Sequence, residues 1–464
     1  MRDTVLIHIN GVAHQLGGDE VFETLARYLR ETMGATGTKI VCEEGDCGAC
    51  TVLVGRRENG SLTYRPVNSC IQFLFQMDCT HVVTVEGLTR AGVMTPVQDA
   101  MVRCHGAQCG YCTPGFVMAM AGMFECTQHP TAAGVKTALT GNLCRCTGYE
   151  SIINAALQTE GQPKIEELYP SGPILDAIGE VEREPVRIGN FFKPVTLADA
   201  VVFKNEKTVI VQGSTDFGVW RTKRGYVPDS ILSLDAVEGL DDIGVEAGTL
   251  SVGGRVSLAR FESVARELVP AMASIMDRFG SPQIKNAGTL AGNIANASPI
   301  ADTLPFLFVT DAQLELTGAA GTRLLPIRNF YLGYKKLDLR ADEIITRIVI
   351  PLPADGETLR LYKISKRSHL DISSFTAAML MRRTNGRIDS MRLAYGGVAP
   401  VVMRMKRTED FLAGKPVTRE TFVEAGEVAR GEVAPISDVR GSKEFRLQLA
   451  QNILTKFYYD VMSS

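Results

Sequence analysis

Several things are scarce in this sequence. There is one tryptophan, and only six histidines are scattered along 464 residues. They form no ligand constellation, so a histidine-built metal centre is not expected; His105, near one of the cysteine pairs, reads as a surface or hydrogen-bonding residue. Neither sign of charge dominates: the net charge of −3 offers no electrostatic footprint for nucleic acid or for a membrane surface. No apolar run is long enough to span a bilayer, and the start, Met1-Arg2-Asp3-Thr4 followed by alternating residues, lacks the core of a secretory signal. The expected location is therefore cytoplasmic. No G-x-G-x-x-G opens a strand–helix unit, which leaves a Rossmann site for FAD or NAD unsupported. Internal repeats and low-complexity tracts are missing too. What remains, 45% hydrophobic and 22% charged residues, describes a globular chain whose length suggests about three or four domains.

Cysteine is what the sequence does have. Eight of the eleven cysteines fall into two sets of four. The first reads Cys42-x4-Cys47-x2-Cys50 with Cys70 beyond, the spacing of a plant-type [2Fe–2S] site held by four thiolates. The second reads Cys109-x2-Cys112, then Cys144-x-Cys146. In a reducing compartment such thiols ligate metal more often than they pair as disulfides. Zinc prefers paired C-x2-C knuckles, often with histidine, so it competes weakly for the first set. For the second set, spacing alone leaves zinc and iron–sulfur both open. Cys79, Cys104 and Cys126 are left over and read as small buried core residues.

The surroundings of these cysteines suggest three kinds of unit. Val5, Ile7 and Ile9 alternate, Asn10-Gly11 makes a tight hairpin turn, and Val12 and Leu16 continue a return strand. Phe22, Leu25, Ala26 and Leu29 follow at helix spacing. Gly45 and Gly48 let the loop from Thr36 to Cys50 wrap a metal. From about 90 to 160 the pattern is helical, with Pro114 suited to the first turn before Phe116–Phe124. Both cysteine pairs precede helices, whose N-terminal ends favour an anionic cluster. Residues 161–185, rich in Pro, Gly and Glu, read as a linker crossing the surface. Strands, Gly-rich turns and short helices alternate over 186–353. Strands then helices fill 357–464.

Two Gly-rich stretches suit a bound phosphate or polyol. In Val209-Ile-Val-Gln-Gly-Ser-Thr-Asp-Phe-Gly218 an apolar strand enters a small-residue turn. Its amides and the Ser214 and Thr215 hydroxyls can cradle a pyrophosphate, though such turns are commonly structural. In the stretch Asn286 to Asp302, small and amide residues permit close approach of a ligand, and Asp302 can accept hydroxyls. Trp220 reads as a packing residue.

The loop Cys42-Glu-Glu-Gly-Asp-Cys-Gly-Ala-Cys-Thr51, with Gln108-Cys-Gly-Tyr-Cys-Thr-Pro-Gly115 and Gly141-Asn-Leu-Cys-Arg-Cys-Thr-Gly-Tyr149, resembles the two-cluster part of the molybdenum hydroxylases. These are the xanthine dehydrogenase and aldehyde oxidase family. Val41 and Glu150 depart from the family's usual glycine and arginine, and neither is a ligand. The two Gly-rich stretches, in this order, resemble the flavoprotein part of the same family. The fused order is most similar to the small iron–sulfur/FAD subunit of the bacterial xanthine dehydrogenases.

The resemblance implies an α+β multidomain chain. It would comprise a ferredoxin-like β-grasp [2Fe–2S] domain (1–88), a helical-bundle [2Fe–2S] domain (89–160), the linker (161–185), a vanillyl-alcohol-oxidase/PCMH-type FAD domain (186–353) and a C-terminal CO-dehydrogenase-flavoprotein-like domain (357–464). The implied cofactors are two [2Fe–2S] clusters on the eight cysteines and FAD, with NAD as co-substrate and molybdopterin on a large partner subunit, in a dimer of heterodimers. The implied FAD contacts are Val211, Gln212, Gly213, Ser214, Thr215, Asp216, Phe217 and Gly218, then Thr289, Gly292, Asn293, Ser298 and Asp302. Phe279 would face the isoalloxazine, the alternative being a core phenylalanine. Lys363 and Lys366 would border the flavin, the alternative being a solvated basic strand. Gln108 would touch the pterin, the alternative being an amide that ties a loop. The implied function is electron transfer from the partner's molybdenum through both clusters to FAD and NAD+ during xanthine oxidation to urate. Alternatives are the same relay serving an aldehyde or N-heterocycle, or a non-catalytic iron–sulfur carrier.

Overall fold

The fold, taken from a computed structural model, is described for residues 1–463. The chain divides into two compact units, Met1–Glu238 with Ser281–Gly288, and Gly239–Gly280 with Thr289–Ser464. The stretch expected as one flavin domain, 186–353, is thus shared between them. The reason lies in the sheets, which form separately on either side of Glu238.

In the first unit, strands β1 (Thr4–Ile9), β2 (Val12–Gly17), β3 (Thr51–Glu58), β4 (Ser61–Asn68) and β5 (Thr80–Val83) form one mixed sheet in the order β2-β1-β5-β3-β4. Only the β1–β5 pair is parallel. Asn10 and Gly11 both take positive φ, 50° and 85°, which lets Ile9 pair directly with Val12 across the two-residue turn. Val5, Ile7 and Ile9 share one apolar core with Val52 and Val54, while the intervening Leu53 packs into another. The period of two therefore divides β3 between a core on each face.

The expected helix over Phe22–Leu29 does not form as one piece. The chain makes a 3₁₀ turn at Gly18–Phe22, one α-turn at Leu25–Arg27 and a π-turn at Tyr28–Thr32. Thr24 interrupts it, bridging Phe73 in the manner of a strand while its hydroxyl accepts from Arg27 N. Leu25, Ala26 and Leu29 are buried nonetheless.

Helices Pro96–Arg103, Thr113–Phe124, Ala132–Ala138 and Glu150–Leu157 build the bundle. The central one, Thr113–Phe124, is buried from Gly115 onward and carries proline in its first turn. Residues 161–185 are not a surface crossing. They form helices Ile165–Leu168 and Ser171–Val181, and Ile165, Tyr169, Ile174 and Ile178 pack into the bundle core. The apolar side chains stand at i, i+4 spacing, a signal the Pro, Gly and Glu content masks. The remainder of this unit is a small sheet of β6 (Val186–Ile188), β7 (Phe191–Lys193), β8 (Thr208–Ile210) and β9 (Ser230–Leu232) in the order β6-β7-β9-β8.

In the second unit, β10 (Ile243–Glu246), β11 (Thr249–Gly253), β12 (Gln313–Gly318) and β13 (Gly321–Pro326) join β16 (Ile344–Pro351) in an antiparallel sheet ordered β10-β11-β16-β12-β13. A short hairpin, β14 (Tyr331–Gly333) and β15 (Lys336–Leu337), lies between β13 and β16 in sequence. Then β17 (Glu357–Ile364), β18 (Phe375–Thr384), β19 (Arg387–Gly396) and β20 (Met403–Arg404) form a meander. Along β18, Ala378 and Leu380 enter the core shared with the five-stranded sheet. Phe375, Ala377, Met379 and Met381 enter a core with helices Arg419–Arg430 and Lys443–Met462. Burial on both faces explains the near-continuous apolar run of this strand.

Candidate functional site: two thiol sets and two flavin-loop segments

The first thiol set is brought together by the loop before β3 and the turn after β4. Cys47 N donates to Cys42 Sγ at 3.4 Å. Cys42 meets the thiols of Cys47 and Cys70, and Cys50 meets that of Cys70. These contacts hold Cys42 and Cys50 below the ordinary thiol range, and push Cys47 and Cys70 above it. Cys50 and Cys70 are buried, Cys42 and Cys47 half-buried. Asn68 Nδ2 donates to Gly45 O at 2.8 Å and Ser69 Oγ to Cys50 O at 2.6 Å, stapling the loop to β4. Gly48 takes φ +68°, and a Cβ there would lie 2.1 Å from Gly141 O. Only glycine fits.

The second set spans two turns that each lead into a helix. Cys112 immediately precedes Thr113–Phe124, and Cys144 and Cys146 precede Glu150–Leu157. Cys109 pairs with Cys146 and Cys112 with Cys144. Burial and the Cys144 thiol push Cys112 up to about 12. Burial opposes ionisation of Cys144 as well, but Thr147 and the amides of Cys146 and Thr147 bring it down to about 7. Cys109 and Cys146 are exposed, as are Gln108 and Tyr111.

Among the described residues no three His, Cys, Asp or Glu side chains gather as ligands of a single metal ion. The second set meets in two pairs and the first in a chain running Cys47, Cys42, Cys70, Cys50, and a diiron core gathers four thiolates, two on each iron. Clustering, burial and inward-facing amides all suit that core. The two loops also touch: Leu143 N donates to Cys47 O at 3.0 Å, joining the chain beside Cys144 to a residue of the first set. Of the leftover cysteines, Cys79 and Cys104 are half-buried against the bundle core, but Cys126 is exposed, contrary to expectation. It lies just past the C-terminus of its helix, beyond the buried turns.

The first phosphate-loop candidate follows β8 in the first unit. Val211 N donates to Leu232 O at 2.9 Å, and Gln72 and Gln76 donate to the carbonyls of Gly213 and Gln212, both at 2.8 Å. A Cβ on Gly213 would stand 2.0 Å from Ala287 O, so the backbones meet where no other residue fits. Ser214 takes φ +57°, and its Oγ is buried with no partner among the described residues, as is Gln212 Oε1. Buried polar atoms left unpaired mark a place for a ligand's own polar groups. Thr215 is half-buried and Asp216 exposed, and Phe217 and Gly218 are buried at the start of helix Phe217–Arg224. Trp220 packs edge-on to Tyr226 at 6.1 Å, the packing role expected.

The second candidate stretch lies in the second unit, and most of its side chains are engaged internally. Thr289 Oγ1 accepts from Gly292 N at 3.0 Å, Asn293 Oδ1 from Thr303 Oγ1 at 2.6 Å, and Ser298 Oγ from Ile300 N at 3.5 Å. Asp302, expected to hold ligand hydroxyls, already accepts one bond on each oxygen: Lys363 Nζ donates to Oδ2 and Ser373 Oγ to Oδ1, each at 2.5 Å. Lys363 is accordingly buried in an ion pair rather than solvated. Lys366 is exposed and donates to Val439 O at 2.9 Å. Phe279 is half-buried against the core of this unit.

Comparison with known families keeps as one domain the flavin stretch that the two compact units share. Residues 84–157 match the [2Fe-2S] binding domain, 185–353 the FAD binding domain in molybdopterin dehydrogenase, and 360–461 the CO dehydrogenase flavoprotein C-terminal domain. A xanthine dehydrogenase of Blastobotrys adeninivorans is 30% identical over 570 residues, covering 98% of this chain and 40% of that protein. Aldehyde oxidase 1 of Bos taurus is 28% identical over 526 residues, covering 98% and 39%. The chain thus spans about 40% of the length of the curated relatives it matches. The crystal structure of quinoline 2-oxidoreductase from Pseudomonas putida 86 superposes with a TM-score of 0.54 at 28% identity, covering 59% of this chain and 96% of that one. No helix among the described residues is long and apolar enough to cross a membrane. With [2Fe-2S] binding, FAD-binding and flavoprotein C-terminal domains in one chain, this is an iron–sulfur and flavin chain of the molybdenum hydroxylase family.

Proposed function

We propose that this chain serves a xanthine dehydrogenase, taking electrons from a molybdopterin-bearing partner subunit and delivering them to NAD+. The observation that carries the reading is the joining of two separate thiol loops by the Leu143–Cys47 hydrogen bond. Cys42, Cys47, Cys50 and Cys70 would hold one [2Fe–2S] cluster, and Cys109, Cys112, Cys144 and Cys146 the other. When bound, the clusters supply one-electron stations and FAD converts between one- and two-electron chemistry. The chain's residues bury and insulate the first station through Cys50 and Cys70, and leave the second open at Cys109 and Cys146. Exposed Gln108 beside Cys109 suits contact with a partner-borne pterin. The turn from Val211 to Gly218 would take the FAD pyrophosphate on its amides and the unpaired Ser214 hydroxyl. Thr289, Gly292, Asn293, Ser298 and Asp302 would border the flavin, with Phe279, Lys363 and Lys366. Asp302 is held in place by Lys363 and Ser373, and each of its oxygens keeps a lone pair with which to accept a ligand hydroxyl.

A second reading keeps the relay and changes the partner's substrate to an aldehyde or N-heterocycle. The aldehyde oxidase and quinoline 2-oxidoreductase relatives favour it. The two are separated by reconstituting the chain with its partner and following substrate-dependent bleaching with xanthine, an aldehyde and quinoline. The chain alone is expected to show NADH–dye reductase activity, two rhombic paramagnetic signals and no xanthine hydroxylation. Hydroxylation by the lone chain, or a lack of flavin after acid extraction, overturns the proposal.

A further inference from the structure

We infer that Gln283 is a positioning residue for electron transfer between the two thiol loops, although it belongs to neither. The inference rests on reading the eight cysteines as ligands of two clusters. Gln283 lies in the short helix Pro282–Ala287 and is 1% exposed. Its Nε2 donates to Thr51 Oγ1 at 3.2 Å and to Asn142 Oδ1 at 2.9 Å. Thr51 immediately follows Cys50, and Asn142 stands two residues before Cys144. One amide group therefore grips both loops.

Around that amide the donors run in a single consistent direction, while Gln283 Oε1 itself stays buried without a partner among the described residues. Thr51 Oγ1 spends its one proton on Gly48 O at 2.6 Å, so it can only accept from Gln283 and from Asn142 Nδ2. Asn142 Nδ2 also donates to Gly48 O, at 3.0 Å, within the first loop. Gly48 O thus receives a hydrogen bond from each loop. The Leu143 N–H bond to Cys47 O lies one residue along the chain from Asn142. A Cβ on Gly141 would fall 2.0 Å from Gln283 Oε1, so the second loop closes directly onto this side chain. Buried donors of this kind hold their acceptors in one arrangement, which loosens when the donor is removed. Electron transfer depends steeply on the separation and bonding of its stations, and Gln283 holds both together without being a ligand.

Gln283→Met keeps the length and volume of the side chain and removes both donated bonds. Full-length protein carrying it should retain iron, sulfide and flavin. The magnetic coupling between the two reduced clusters should fall, and intercluster transfer after a reducing flash should slow by about tenfold, the low end of what losing a side chain that supports a metal's ligands costs. Unchanged coupling and rate at full iron content overturn the inference. Should Gln283→Met not accumulate, Thr51→Val and Thr51→Ser provide the same test. Serine keeps the hydroxyl and should preserve the coupling, while valine removes it and should not; equal behaviour of the two overturns the inference. Native protein without iron would instead refute the two-cluster reading, and iron analysis separates that outcome from the others.

Discussion

His81 illustrates how a single side chain is held in one protonation state. It is fully buried; its Nε2 accepts from Gly11 N at 3.0 Å, so Nδ1 carries the proton facing Tyr64 Oη at 2.7 Å. A second proton would have to sit on Nε2, against an N–H. Burial, and then His8, lower the imidazole to about 4. A histidine depressed in the fold stabilises it while neutral. That contribution is whole above about pH 6.5 and is lost as the pH falls toward 4, amounting to roughly 3 kcal/mol when complete. Urea denaturation of the β-grasp part should therefore weaken between pH 7 and pH 4.5, and His81→Asn should flatten that dependence. The three remaining cysteines carry a lesson at the same scale. Composition suggested that all were buried, yet Cys126 is exposed, because burial depends on which side of a helix end a residue falls.

At the scale of elements, the turn after β8 is the most constrained piece of the flavin region. Gly213 lies against the carbonyl of Ala287, from a helix some seventy positions away in sequence. Gly213→Ala should cost about 1–3 kcal/mol, since the added methyl forces a backbone shift at a packed site. Thermal unfolding checks the cost, and flavin content after purification should fall with it. Stability lost with full flavin retained would separate the turn's packing from cofactor binding. The helices at Ile165–Leu168 and Ser171–Val181 teach the converse. Proline, glycine and glutamate made that stretch look like a linker, whereas Tyr169 and Ile178 anchor it in the bundle core. Short amphipathic helices carry too few apolar positions to outweigh composition in a reading of sequence.

For the molecule as a whole, the first unit is tied by one carboxylate. Asp78 receives Arg2 through both guanidinium nitrogens at 2.9 and 2.8 Å, Lys193 at 2.7 Å and Leu6 N at 2.8 Å, joining three distant parts of the chain. Burial opposes its ionisation, but Lys193 and Arg2 outweigh burial and hold it well below the usual carboxylate range. Its stabilising effect is therefore present above about pH 3.9 and disappears as the pH falls further. Asp78→Asn should cost roughly 3–5 kcal/mol at neutral pH by leaving buried Lys193 and half-buried Arg2 without a carboxylate, measurable as a lower unfolding midpoint.

Local chemistry made much of this protein legible. Metal ligation needs particular residue types at fixed short spacings, so the cysteine motifs, the Asn10-Gly11 hairpin and the division into cluster and flavin parts could be read from sequence alone. The resemblance to the molybdenum hydroxylases rested on those same motifs. Long-range placement was not legible. Nothing in the sequence marked Gln283, Asn142 and Thr51 as one hydrogen-bonded node, or Lys363 as the buried partner of Asp302. Such pairs are chosen by where the backbone brings distant segments together, and a buried polar atom must find its partner there whatever its distance along the chain.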